Sequence, residues 1–104
     1  EGVWGRELDD PDRIMVKFIL DHTWVWFVMN KNTGLITNSL GGTFEYNAPE
    51  YIEKSEFHFN SPNSIGGTLQ SELTVQGEEL SLVGTINRDG EKNQLKETWK
   101  RFEW

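Results

Sequence analysis

Hydrophobic and polar residues alternate with a period of two along most of this chain. Ile14, Val16, Phe18 and Leu20 alternate with Met15, Lys17 and Ile19. Leu69, Ser71, Leu73 and Val75 alternate with Gln70, Glu72 and Thr74, and Leu80, Leu82, Gly84 and Ile86 form a further row. Such alternation turns one row of a strand toward a core and the other toward water. Phe44 and Tyr46 share a face opposite Thr43 and Glu45. Tyr51, Phe57 and Phe59 share one opposite Lys54, Glu56 and His58. No window carries an apolar stripe at helical spacing with caps.

Turn chemistry separates these rows at Asp9-Asp10-Pro11-Asp12, Asp21-His22, Asn32-Thr33-Gly34, Asn47-Ala48-Pro49-Glu50, residues 60–67, Gln76-Gly77-Glu78 and Asp89-Gly90. Gly supplies positive φ, Pro a fixed φ, and Asn or Asp a side chain that caps the turn. Seven turns predict eight short strands. Short turns join antiparallel neighbours in sequence order, and an eight-stranded meander loses both edges when it closes on itself. The expected fold is all-β, an up-and-down antiparallel barrel filling residues 1–104 as a single domain. A two-sheet sandwich is the alternative architecture.

Composition narrows what such a domain can do. With 17 acidic and 10 basic residues the net charge is −7, and no Lys/Arg cluster offsets it locally, so nucleic acid is not an expected partner. There is no cysteine, which excludes disulfides and thiolate metal sites. The longest apolar run, residues 24–29, is too short for a transmembrane helix. No leader is visible, and the first residues already read as strand. A secreted or periplasmic mature protein is the expected setting.

The 13 aromatic residues carry the candidate site. An eight-stranded barrel is just wide enough either to be filled by side chains or to hold one small ligand. The rings therefore have two readings, a packed core or the wall of a cavity for a small apolar or amphiphilic ligand. The candidate ligand-binding set is Phe18, Trp24, Trp26, Phe44 and Phe57, with Arg6 and Glu53 to orient a polar end. The strand at residues 23–29 is apolar on both faces. If Trp24, Trp26 and Val28 point inward, Val25, Phe27 and Met29 point out, joined by Met15 and Ile19 from the preceding strand. That patch is the expected interface of a homo-oligomer.

Catalytic signatures are missing: there is no thiol, no Gly-x-Ser-x-Gly elbow and no phosphate-cradling glycine loop. His22 reads as a turn residue and His58 as a polar-face residue, with no ligand spacing for a metal and no cofactor motif. Alternation places Glu53 on the same face as Tyr51 and Phe57, and a carboxylate inside an apolar barrel could serve as acid or base. The expectation is a non-enzymatic protein.

Gly2-Val3-Trp4 near the start and Trp99-Lys100-Arg101 in the last strand resemble the lipocalin/calycin signature. With Gly42-Thr43-Phe44, Tyr51-Ile52-Glu53 and Gly77-Glu78-Glu79-Leu80, the chain is similar to small bacterial lipocalin-like domains of uncharacterised function. The resemblance implies that Trp4, Trp99 and Arg101 close one barrel end, the guanidinium stacking on an indole. It also implies a carrier of small apolar molecules. Fatty-acid-binding relatives place a helical lid between the first two strands. Residues 9–13 are too few for one, so a barrel end must be closed by side chains, left open or covered by a partner.

Overall fold

The computed structural model describes residues 2–59, 62–88 and 90–102. Its strands are β1 (Gly2–Glu7), β2 (Arg13–Leu20), β3 (Thr23–Asn30), β4 (Ile36–Asn47), β5 (Glu50–His58), β6 (Thr68–Gln76), β7 (Glu79–Arg88) and β8 (Glu91–Arg101). One turn of 3₁₀ helix, Pro62–Ser64, lies between β5 and β6. Every strand pairs antiparallel with its sequence neighbours, and β1 meets β8, which gives a closed up-and-down barrel. The turns fall where the sequence puts them, except that Asn60, Ser61 and Asp89 lie outside the described residues. Among the described residues no helix is long and apolar enough to cross a membrane.

Successive connections alternate between the two barrel ends. The β2–β3, β4–β5 and β6–β7 turns lie at one end together with Gly2 and Arg101, here the Trp4 end. The other four connections lie at the opposite end, here the Ser64 end. Residues paired across a ladder share a face. Trp4, Lys17, Trp26 and Leu40 form one such row and turn inward, while Val3, Phe18, Val25 and Gly41 form the next and turn out. The core gathers Trp4, Ile19, Tyr51, Leu69, Leu73, Leu80, Leu82 and Trp99, with Met15, Phe44, Ile86 and Leu95 packed on it.

Two strands face differently from the expectation. In β2 the inward row is Met15, Lys17 and Ile19, and Phe18 lies on the outside. Both rows of β2 are apolar apart from Lys17 and the terminal Arg13, so hydrophobicity alone misassigns them. The outer row is covered in part: Phe102 lies across Gly5, and Val16, paired with Gly5, is fully buried. Phe18 and Phe27 stack beside it with ring centres 5.8 Å apart.

In β5 the alternation breaks at a bulge. Gly42 pairs with Ser55 but Gly41 with Phe57, leaving Glu56 as the extra residue. Tyr51, Glu53 and Ser55 therefore face inward, whereas Phe57 swings outside and is 47% exposed. His58, expected on the outer face, falls opposite inward-facing Leu40 instead. The bulge needs the glycine pair: a Cβ on Gly42 would sit 1.8 Å from the Lys54 carbonyl oxygen, and one on Gly41 would sit 2.4 Å from the Phe57 ring.

Candidate functional site

The middle of the barrel holds a charge. Lys17, from the inward row of β2, is 2% exposed and Glu53 of β5 is 5% exposed. The Lys17 Nζ contacts Glu53 Oε2 directly. The Tyr51 hydroxyl donates to the same carboxylate oxygen at 2.5 Å. Three rings surround the ammonium, with Nζ 5.2 Å from the Trp24 ring centre, 5.5 Å from Trp99 and 5.8 Å from Tyr51. Taking either ion out of water costs several kcal/mol, so each needs the other. The π faces add attraction of roughly 0.5–2 kcal/mol where they are desolvated. Burial first, and then the neighbouring Glu53 charge and its hydrogen bond, push the Tyr51 phenol well above the ordinary tyrosine range.

Further polar contacts hold the cage rigid. Trp24 Nε1 donates to the carbonyls of Thr43 and Lys54 at 3.1 and 3.2 Å. Trp99 Nε1 donates to Glu97 Oε1 at 3.2 Å, and Arg6 donates to Glu97 Oε2 at 2.9 Å. Ser71 Oγ donates to the Tyr51 carbonyl at 3.1 Å.

Among the described residues a space lies on each side of this layer. Toward the Ser64 end lies a chamber of about 210 Å³, walled by Met15, Trp24, Trp26, Leu40, Leu69 and Leu95, with Lys17, Glu53 and Glu97 at its polar side. Toward the Trp4 end lies a wider cup of about 590 Å³. Its floor is Trp4, Ile19, Phe44, Tyr51, Leu73 and Leu80, and its rim carries Asp21, His22, Glu45, Tyr46, Val75 and Arg101. The Arg101 guanidinium sits 4.5 Å from the Trp4 ring centre. Trp4 is 1% exposed, and its Nε1–H is buried without a hydrogen-bond partner among the described residues.

The candidate residues are thus divided. Trp24, Trp26 and Glu53 line the small chamber, Phe44 the cup, and Arg6 reaches inward at the Ser64 end to Glu97. Phe18 and Phe57 are corrected to the outer surface. Met15 and Ile19 are corrected from an outer interface to the interior, whereas Val25, Phe27 and Met29 do face out. His22 and His58 stand at opposite barrel ends. Lys17 escaped sequence reasoning because a lysine in an alternating strand is placed in water by default. The available signal was that Lys17 interrupts the row that also holds Met15 and Ile19, on a strand whose other row carries no polar residue.

A scan against protein-family models and searches of curated proteins and of solved structures returned no match.

The buried pair is testable by substitution. Glu53→Gln leaves the Lys17 ammonium buried without its anion and is expected to cost about 3–5 kcal/mol in chemical denaturation. Lys17→Met in the Glu53→Gln background removes the stranded charge and is expected to recover most of that loss. Simple addition of the two single losses would contradict the coupling.

Proposed function

We propose that the protein binds a small amphiphilic molecule non-enzymatically, in the cup at the Trp4 end. The observation that carries this reading is an apolar hollow of about 590 Å³ floored by Trp4, whose buried indole N–H has no acceptor among the described residues. That volume lies in the range of ordinary small-molecule sites. An unsatisfied buried donor costs about 1–3 kcal/mol, which a ligand oxygen on Trp4 Nε1 would relieve. The rim offers a polar head group both signs of charge, Arg101, itself paired with Glu78 at 3.7 Å, and the carboxylates of Asp21 and Glu45. The apolar tail would lie on Ile19, Phe44, Leu73 and Leu80. Arg6 and Glu53, the orienting groups expected from sequence, are instead tied to Glu97 and Lys17. The eight-stranded meander and the Arg101–Trp4 stack also support a lipocalin-like relationship.

Self-association through the outer face of β2 and β3 is the second reading. Ile14, Phe18, Val25, Phe27 and Met29 present a continuous apolar surface there, whereas β6 and β8 show water Gln70, Glu72, Thr74, Gln94, Lys96 and Thr98. Because the patch carries no charge, two copies can meet on it despite a net charge of −7 each.

Titration of delipidated protein with a medium-chain fatty acid tests the first reading. Saturable change in tryptophan fluorescence and a raised thermal midpoint are expected. Val75→Trp, at the exposed rim, should abolish both while leaving the unliganded midpoint unchanged. No saturable response in the native protein would overturn the reading. For the second, sedimentation should show a mass rising with concentration, and Phe18→Glu should hold the protein monomeric. A monomer at all concentrations would contradict it.

A further inference from the structure

The barrel closes over a short seam. Among the described residues β1 and β8 pair at two positions, Trp4 with Arg101 and Gly5 with Lys100, and one further main-chain bond runs from Phe102 N to the Val3 carbonyl at 2.9 Å. Continuation of that register would set Arg6 opposite Trp99 and Glu7 opposite Thr98, yet neither pair forms. β8 spans 11 residues against 6 in β1, so most of its length runs past the seam. Its other side is fully paired with β7 from Glu91 to Lys100. Among the described residues, no strand pairs with residues 91–99 of β8 on the β1 side. A row of main-chain donors and acceptors there is a template for an added strand.

Beside this edge runs a surface cleft of about 660 Å³. Gly5, Ile14 and Phe102 give it an apolar wall and Lys96 and Lys100 a basic one, with Glu7 and the Glu78-paired Arg101 also in the lining. Lys92, Lys96 and Lys100 recur at every fourth residue on the outer row of β8. These three lysines are among the ten basic residues of an acidic chain. Half-buried Leu95 lies on the inner row between them.

We infer that the open edge of β8 accepts an extended peptide segment of a partner protein in which acidic and apolar residues alternate. In such a strand every second side chain lies beside the lysine row, and cross-strand opposite charges stabilise the pairing. The intervening apolar side chains turn toward Leu95. A second copy of this chain is disfavoured as the occupant, because pairing β8 with β8 sets one lysine row against another. Edge lysines also serve to prevent strand addition. The apolar wall beside them, at a place where the barrel leaves pairing unmade, favours an acidic strand over an empty guarded edge.

The test is fluorescence anisotropy with a labelled peptide of alternating Glu and Val, and a Lys–Val peptide as control. Saturable binding of the acidic peptide alone is expected, weakening with added salt and accompanied by slowed amide hydrogen exchange in residues 92–98. The double variants Lys92→Glu/Lys96→Glu and Lys92→Gln/Lys96→Gln change exposed side chains only. The charge reversal should weaken binding about ten-fold or more, about 1.4 kcal/mol, and the neutral pair should weaken it less. Absence of saturable binding, equal binding of both peptides, or protection elsewhere in the barrel would overturn the inference and leave the lysines as guards of the edge.

Discussion

Lys17 and Glu53 meet in the centre of a barrel whose interior is built mainly from rings and aliphatic chains. Two ions buried there are tolerable only as a pair, and only with their remaining bonding capacity met. Tyr51 supplies a hydrogen bond to the carboxylate, and Trp24, Trp99 and Tyr51 supply π faces to the ammonium. The requirement reaches outward through the fold. Lys17 can meet Glu53 only if β2 turns Met15, Lys17 and Ile19 inward, which sends Phe18 to the surface. Glu53 can meet Lys17 only while β5 keeps its alternation up to Ser55, and the bulge at Glu56 comes just after it.

The same pair divides the interior. Because charged and aromatic side chains occupy the waist, the barrel is neither solid nor a single cavity. It has a small polar-sided chamber at one end and a wider apolar cup at the other. The cup keeps Trp4 on its floor with Arg101 stacked over the indole, whereas Trp99, expected beside them at the barrel end, stands at the waist against Lys17 and lines the small chamber. The ligand and self-association readings are compatible in space, since the cup opens at a barrel end and the apolar patch lies on the wall. The β8 edge is a third surface, at the seam.

How much of this could be read from the chain follows from which physical signals are local. Turns are set by Gly, Pro, Asn and Asp over a few residues, so the strand order and the barrel were legible. Facing was legible where one row is plainly polar, as in β6 with Gln70, Glu72 and Thr74. It failed in β2, where Ile14, Val16 and Phe18 outweigh Met15, Lys17 and Ile19 in hydrophobicity but not in burial. The decision there is made by a partner 36 residues away in sequence, Glu53. It failed again at Phe57, because a bulge permitted by Gly41 and Gly42 reverses the alternation and leaves no periodic trace. Phe44 was found because its strand alternates cleanly around it, whereas Trp24 lies on a strand apolar on both faces, where only the assumed facing of its row placed it inside. The open edge of β8 depends on unequal lengths of β1 and β8, which no local pattern records.

The most direct test of the sealed waist is the alkaline titration of Tyr51, taken as the difference in phenolate absorbance between the native protein and Tyr51→Phe. In the unfolded chain a tyrosine ionises near 10.0, whereas the folded barrel holds Tyr51 neutral beyond that point. The stability it contributes is therefore present below that pH and is lost as the pH rises above it. The Tyr51 phenolate should emerge only together with unfolding, followed by circular dichroism, and Tyr51→Phe should lessen the alkaline fall in stability. Ionisation of Tyr51 near its ordinary value with the barrel still folded would contradict a water-excluding Lys17–Glu53–Tyr51 layer.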